Sequence, residues 1–446
     1  MGISVQPLVL KHPNVFYPIT CKLKKAVKQI PHRRVRYSMH KGNIKAVVQH
    51  PNEMNPLLQM KTEMKRVEKE IPTNPPHWKF CYSMMNKIST MLVLMIQSLD
   101  DKELRDAGCA LYVVLRALDT VEDDPEISDE LKIPVLEAFH RHIYDPDFRF
   151  KCGTKLKKVL MDNFHHVSRA FLDVNKSYQE IIEDTTMNIG AGMAKFLTKE
   201  VETIDDYVEY CYLTGTLVSL GFERLFQVSG KQIVFPDHLS NAIGLFVQKT
   251  DVIKDFMEDI GEKTSHMAWP REIWSKYVNN LEDLTSEENT EKAIQCVNEM
   301  VTEDLVHMND CLEFLSQLHD PSIFRFFGIL QVLTIAEVAL CYNNIQVFRE
   351  KISLTPDLVA KIFVRTKTMA DVYGAFYEFS SIILSKVEMN DPNAKIAISR
   401  IEAVQRLCRD SGTLDNWESY IHESDQPTNM LCPPKPNPSQ VNGKST

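Results

Sequence analysis

Apolar residues recur at three- and four-residue spacing from about residue 78 to about residue 420, which predicts one helix after another. "ELRDAGCALYVVLRALDTVEDD" (103–124) and "SNAIGLFVQKTDVIKDFMEDI" (240–260) show it most clearly. Punctuation is sparse: Pro125, "YDPDFRFKCGTK" (144–155), "VFPDHLS" (234–240), "AWPREIW" (268–274) and "HDPS" (319–322). Sustained two-residue alternation is missing, so strands are not expected. The most apolar stretch, "FFGILQVLTIAEVALCY" (326–342), contains Gln331 and Glu337 and reads as a buried helix, not a transmembrane segment. The fold class expected is all-α, a helical bundle.

Two regions depart from this pattern. "KHPNVFYPITCKLKKAVKQIPHRRVRYSM" (11–39) repeats in "QHPNEMNPLLQMKTEMKRVEKEIPTNPPHWKFCYSM" (49–84): His-Pro-Asn, a charged helical stretch, Ile-Pro, then Tyr-Ser-Met. Two copies are too few for a solenoid, so 1–48 is read as an N-terminal extension that partly duplicates 49–86. The 413–446 segment is rich in Pro, Asn and Ser and is expected to be a disordered polar tail.

Composition narrows the classes. Only 15 of 446 residues are glycine, which favours helices over turn-rich β architecture. A net charge of −9 argues against general affinity for nucleic acid, and an anionic substrate would need local cations or a metal. Ten cysteines without a CxxC pair, and no secretory signal, read as reduced thiols.

The chemistry lies in two acidic clusters. Asp119, Glu122, Asp123 and Asp124 close one apolar helical run, and Asp251, Asp255, Glu258 and Asp259 fall at i, i+4, i+7 and i+8 of another. On a continuous helix the second set shares about a third of the circumference. One such cluster is usually a solvated face; two, each following a core-grade run, suggest carboxylate walls across a cavity. Hard cations between them would hold a diphosphate, because Mg²⁺ binds one or two carboxylates together with phosphate oxygens. A neutralised diphosphate leaves readily, and aromatics such as Tyr112, Tyr210, Phe324 and Phe326 would stabilise the resulting carbocation.

"LRALDTVEDD", "GAGMAKF", "QKT…KDFMED", "WPREIWSKYV" and "CYNNIQVF" together make the chain resemble squalene synthase, most closely the plant enzymes, from about His50 to Gly412. The resemblance implies a terpene-synthase-like bundle with a central cavity, forming the catalytic domain over 49–412. It also implies head-to-head joining of two farnesyl diphosphates to presqualene diphosphate, then reduction to squalene with Mg²⁺ and NADPH. By the same resemblance Asp119, Glu122, Asp123, Asp255 and Asp259 bind metal. Arg116, Gln248 and Lys254 hold diphosphate, Tyr112 lines the site, Tyr210 serves the first half-reaction, and Phe324 and Phe326 guard the cation of the second. A monomer is expected, in the cytosol or peripherally on the cytosolic face of the endoplasmic reticulum, since the family's C-terminal membrane helix is replaced here by the polar tail.

Departures from the family fall near the chemistry. Thr90, Met91 and Leu92 stand where the family has Arg-Ser-Phe, and Asp251 and Lys254 where it has Asn and Arg. Ser219, Phe222 and Glu223 bring bulk or charge to a segment that normally lines the cavity. Ser353 and Thr355 replace the Lys-x-Arg pair that meets NADPH, with Arg349 and Lys351 close by as substitutes; His266 and Ala268 replace Arg and Phe. Losing two or three cationic contacts would weaken binding by roughly 10²–10⁴-fold. Four readings follow: a complete synthase, a synthase that stops at presqualene diphosphate, a non-catalytic relative that binds isoprenoid diphosphate or a partner synthase, and a phytoene-synthase-like enzyme.

Overall fold

The computed structural model describes residues 55–231, 234–261 and 267–421; the N-terminal extension and the end of the tail lie outside them. Of the described residues 75% are helical, without a strand among them. The first half comprises α1 (Pro56–Glu70), α2 (Pro76–Ile88), α3 (Thr90–Gln97), α4 (Lys102–Glu122), α5 (Asp129–His142), α6 (Lys155–Asp162), α7 (Phe164–Asp173) and α8 (Lys176–Phe196). Then come α9 (Ile204–Cys211), a π-helical segment (Tyr212–Thr216), α10 (Leu217–Val228), α11 (Asp237–Lys254), α12 (Phe256–Gly261) and the single turn α13 (Arg271–Trp274). The last set is α14 (Thr290–Asp304), α15 (Met308–Ser316), α16 (Pro321–Cys341), α17 (Pro356–Arg365), α18 (Met369–Ser385) and α19 (Ala394–Asp410).

Local chemistry starts the helices that matter. The Asp101 carboxylate accepts the Glu103 and Leu104 N–H groups at the head of α4. Thr203 and Asp206 form a reciprocal capping box on α9, and Asp320 caps α16 ahead of Pro321. α16 is apolar on every side and lies inside the bundle, with 94% of its most apolar window buried. It is long and apolar enough to cross a membrane, yet packs as a core helix against α11 and α18.

α4 lies among α2, α5, α6, α7 and α8, while α11 lies among the π segment, α14, α15 and α16. α10 touches both α4 and α11, so it joins the two halves that carry the acidic clusters.

The tail begins later than expected. Residues up to 421 pack on the domain: Tyr420 is 1% exposed and shares a hydrogen bond with Thr366 at 3.2 Å. A Cβ on Gly374 would meet the Trp417 ring at 2.3 Å, so the ring lies flush on α18. The buried Tyr420 and the half-buried Trp417 thus extend the folded domain past Gly412. The eight cysteines among the described residues are all buried and free, in keeping with reduced thiols.

Candidate active site

Both acidic clusters sit at helix C-termini. α4 ends at Glu122, with Asp123 as its C-cap donating its backbone N–H to the Asp119 carbonyl. The negative end of the helix dipole disfavours carboxylates there, so positive charge must compensate. Oxygens of Asp119, Glu122 and Asp123 converge within 4.8 Å of one another. One turn earlier, Arg116 places a guanidinium nitrogen 2.8 Å from Asp119 Oδ2, both side chains being buried. Tyr112, a further turn back, is also buried.

Lys157, which sequence reasoning missed, reaches across from α6 to Asp123 at 2.6 Å. Lys132 Nζ donates to the Glu122 carbonyl at 2.7 Å and caps the helix. Asp124 faces the other way, accepting the Gly153 N–H at 2.5 Å. Gly153 has φ +78°, and a Cβ there would lie 2.7 Å from Thr120, so only glycine brings this loop so near α4.

The second cluster is less regular than its spacing predicts. α11 stops at Lys254, Asp255 caps it at φ −90° and ψ 7°, and α12 restarts at Phe256. The one-turn backbone bonds from Asp255 to Asp251 and from Asp259 to Asp255 nevertheless run through this break. Lys254, expected on diphosphate, is 1% exposed and committed elsewhere: its Nζ lies 2.5 Å from Asp251 and 3.1 Å from Glu337 of α16. Burial works against its charge, but Asp251, Glu337 and Asp255 outweigh it and hold its pKa well above the ordinary value. One buried oxygen of Asp255 has no hydrogen-bond partner among the described residues. Glu258 pairs with Lys351.

Tyr210 links the clusters. It ends α9 almost wholly buried, edge-on to Phe196 at 5.6 Å. Burial pushes its pKa well above the ordinary value, and Asp259 from one cluster with Glu122 and Asp123 from the other push it further. A single phenol thus feels both acidic walls.

The π segment follows at once, an irregularity frequent at functional sites. A Cβ on Gly215 would meet Gln248 Cβ at 2.3 Å, and one on Gly244 would meet Thr216 Cα at 2.3 Å. These two glycines let the segment lie directly on α11. Gln248 is 2% exposed there, and its side-chain oxygen has no hydrogen-bond partner among the described residues.

The two phenylalanines do not form one wall. Two residues apart on α16, they project about 200° from each other. Phe326 packs on Phe222 at 5.1 Å and Phe226 at 5.4 Å, whereas Phe324 lies along Gly328, whose open face meets Thr366. The substituted Phe222 is therefore core that buttresses Phe326.

Other departures also have structural partners. Glu223 accepts from Gln227 at 2.9 Å and Ser240 at 3.1 Å, and burial raises its pKa to about 7. Thr90 is the buried first residue of α3. Thr355 is the N-cap of α17, accepting the Leu358 N–H ahead of Pro356. Arg349 donates to the Leu284 and Ser286 carbonyls at 3.1 Å, so its guanidinium is anchored in the fold. Ala268 is buried, and His266 lies outside the described residues.

The donor set fits Mg²⁺. It is all carboxylate oxygen, placed at two helix C-termini, with the orphaned Asp255 oxygen among it.

Comparison with known proteins agrees. Residues 86–356 match the family description "Squalene/phytoene synthase". Squalene synthase 12 of Panax ginseng is 56% identical over 385 residues, covering 86% of this chain and 92% of that protein. Squalene synthase 1 of Arabidopsis thaliana is 54% identical over 393 residues, covering 87% and 95% respectively. Among solved structures, TcSQS in complex with the ligand BPH1237 superposes with a TM-score of 0.73 at 35% identity, covering 75% of this chain and 99% of that one. The non-catalytic reading finds no support in these relatives. The chain belongs to the squalene/phytoene synthase family.

Proposed function

We propose that this protein is a squalene synthase: it joins two farnesyl diphosphates head to head into presqualene diphosphate and reduces that intermediate to squalene with NADPH. The observation that carries this reading is Tyr210, buried at the end of α9 and under the field of both acidic clusters. Asp119, Glu122 and Asp123 on one side, and Asp255 and Asp259 on the other, would hold Mg²⁺. Bound there, Mg²⁺ supplies Lewis-acid neutralisation of the departing diphosphate.

The other steps belong to side chains. Arg116 orients the Asp119 carboxylate and offers its guanidinium toward diphosphate oxygens. Gln248 supplies a polar contact from α11, and Tyr112 lines the site from α4. Tyr210 keeps its proton through the physiological range, so it acts as a hydrogen-bond donor toward the reacting diphosphate. The apolar bundle excludes water from the cation. We place the protein in the cytosol or on the cytosolic face of the endoplasmic reticulum, the family's site, acting as a monomer.

A second reading, in which the enzyme stops at presqualene diphosphate, is favoured by Thr355 serving as a helix cap while Arg349 is anchored to carbonyls. The deciding assay supplies purified protein with labelled farnesyl diphosphate and Mg²⁺, with and without NADPH. Squalene formed only with NADPH supports the complete reaction, and presqualene diphosphate alone supports the second reading. Absence of both products overturns the proposal.

A further inference from the structure

Lys157 has no part in the reaction as described, yet its ammonium lies 2.6 Å from Asp123 Oδ2, within the cluster of three converging carboxylates. Arg116 and Lys157 both serve carboxylates of the first acidic motif, and they differ in freedom. Arg116 stands on the same helix as Asp119, its side chain 4% exposed and set among core residues. Lys157 comes from a separate helix at the end of a flexible four-carbon stem, and its side chain is 32% exposed. Burial works against its charge, but Asp123 and Asp119 outweigh that effect and keep it protonated.

A divalent ion sits about 2.0–2.1 Å from a carboxylate oxygen when the metal is Mg²⁺. An ammonium at hydrogen-bond distance from the same carboxylate would then face a doubly charged neighbour with little water between them. Lys157 has to leave as the metal arrives, and its partly exposed side chain allows this. With its root fixed in α6, the nearest new anion is a diphosphate oxygen held by that same metal. A compact ammonium suits such an exchange, since it needs no fixed fork geometry.

Resting on the acidic-motif reading above, we propose that Lys157 is a displaceable counter-cation of the first acidic motif. It neutralises Asp123 in the free protein, yields to the divalent metal, and transfers its ammonium to an oxygen of the substrate's diphosphate.

The test uses the full chain and Lys157→Met, which keeps the stem and removes the charge. Mn²⁺ binding without diphosphate is followed by electron paramagnetic resonance, and inorganic diphosphate binding at saturating Mg²⁺ by calorimetry. The variant is expected to bind Mn²⁺ about tenfold more tightly and diphosphate about tenfold more weakly. A merely structural role would weaken both, and that result overturns the proposal. An unchanged affinity for either ligand overturns it as well.

Lys158→Met, which removes an exposed pair with Asp162 at 2.8 Å, should leave both affinities alone; if it reproduces the effect, the assignment to Lys157 is lost. Asp119→Asn tests the underlying reading separately. If it binds Mn²⁺ as well as the unaltered protein does, the acidic-motif reading fails and the Lys157 proposal fails with it.

Discussion

Lys254 on α11 lies 3.1 Å from Glu337 on α16, so one buried ammonium ties the helix of the second acidic motif to an almost wholly apolar core helix. The same ammonium holds Asp251 at 2.5 Å. Removing it strands two buried carboxylates. Lys254→Met is expected to cost about 3–5 kcal/mol in urea unfolding, the usual penalty for breaking a buried ion pair from one side. Adding Asp251→Asn and Glu337→Gln should recover most of that loss. A stability equal to the unaltered protein for Lys254→Met alone would show that the two carboxylates are not held as charges.

The contact between Gly244 and Thr216 makes a second prediction. A methyl at position 244 would lie 2.3 Å from the Thr216 backbone, where no flexible side chain can yield. Gly244→Ala is expected to cost about 1–3 kcal/mol as overpacking and to push the π segment away from α11. Tyr210 and Gln248 flank that contact, so turnover of farnesyl diphosphate should fall more than stability alone explains. Gly261→Ala meets nothing within 4 Å among the described residues and is the control. Equal melting points and turnover for both variants would refute the close-approach argument.

The main helices and both acidic clusters were legible because they depend on short-range pattern: apolar spacing fixes the faces of α4 and α11, and charge composition marks their ends. What escaped depends on contacts between distant segments. The π segment Tyr212–Thr216 barely disturbs the apolar period of its helix, and its placement rests on Gly215 and Gly244 meeting their neighbours across two helices. The one-residue break at Asp255 leaves the spacing of the acids intact, so the sequence pattern carries no sign of it. Lys155, Lys157 and Lys158 read alike in sequence, and only the turn at Gly153 determines that Lys157 points to Asp123. Arg349 and Lys254 illustrate a related limit: sequence reveals a charge but not the partner it already has.

Glu223 predicts a pH dependence. Its folded pKa is raised from 4.5 to about 7, chiefly by burial, with Ser240 and Gln227 opposing the rise. The folded state therefore holds a proton that the unfolded state releases between these two values. Stability attached to this group is full below about pH 4.5 and declines as the pH rises through 7. Glu223→Gln should remove the decline, leaving the variant more stable than the unaltered protein at pH 8 by on the order of 2 kcal/mol, with the difference shrinking toward pH 5. Urea titrations at the two pH values check this. A difference that grows toward acid would reverse the sign and discard the burial argument.

The cofactor side can be tested by restoring what the family carries. Thr355 caps α17 through its hydroxyl, with Pro356 preset for the first turn, so arginine at 355 should cost about 1 kcal/mol of stability. Ser353 is buried, and a lysine there must lay its stem along apolar surface to bring its ammonium to water. If these positions meet the phosphates of NADPH, the double variant Ser353→Lys with Thr355→Arg should lower the KM for NADPH by about tenfold or more despite the lost cap. Formation of presqualene diphosphate, which needs no NADPH, should keep its rate. Steady-state kinetics with varied NADPH separate the two halves of the reaction. A KM that stays put while the urea midpoint falls would mean that the cap has been lost without restoring a phosphate contact, and that NADPH is held elsewhere on this chain.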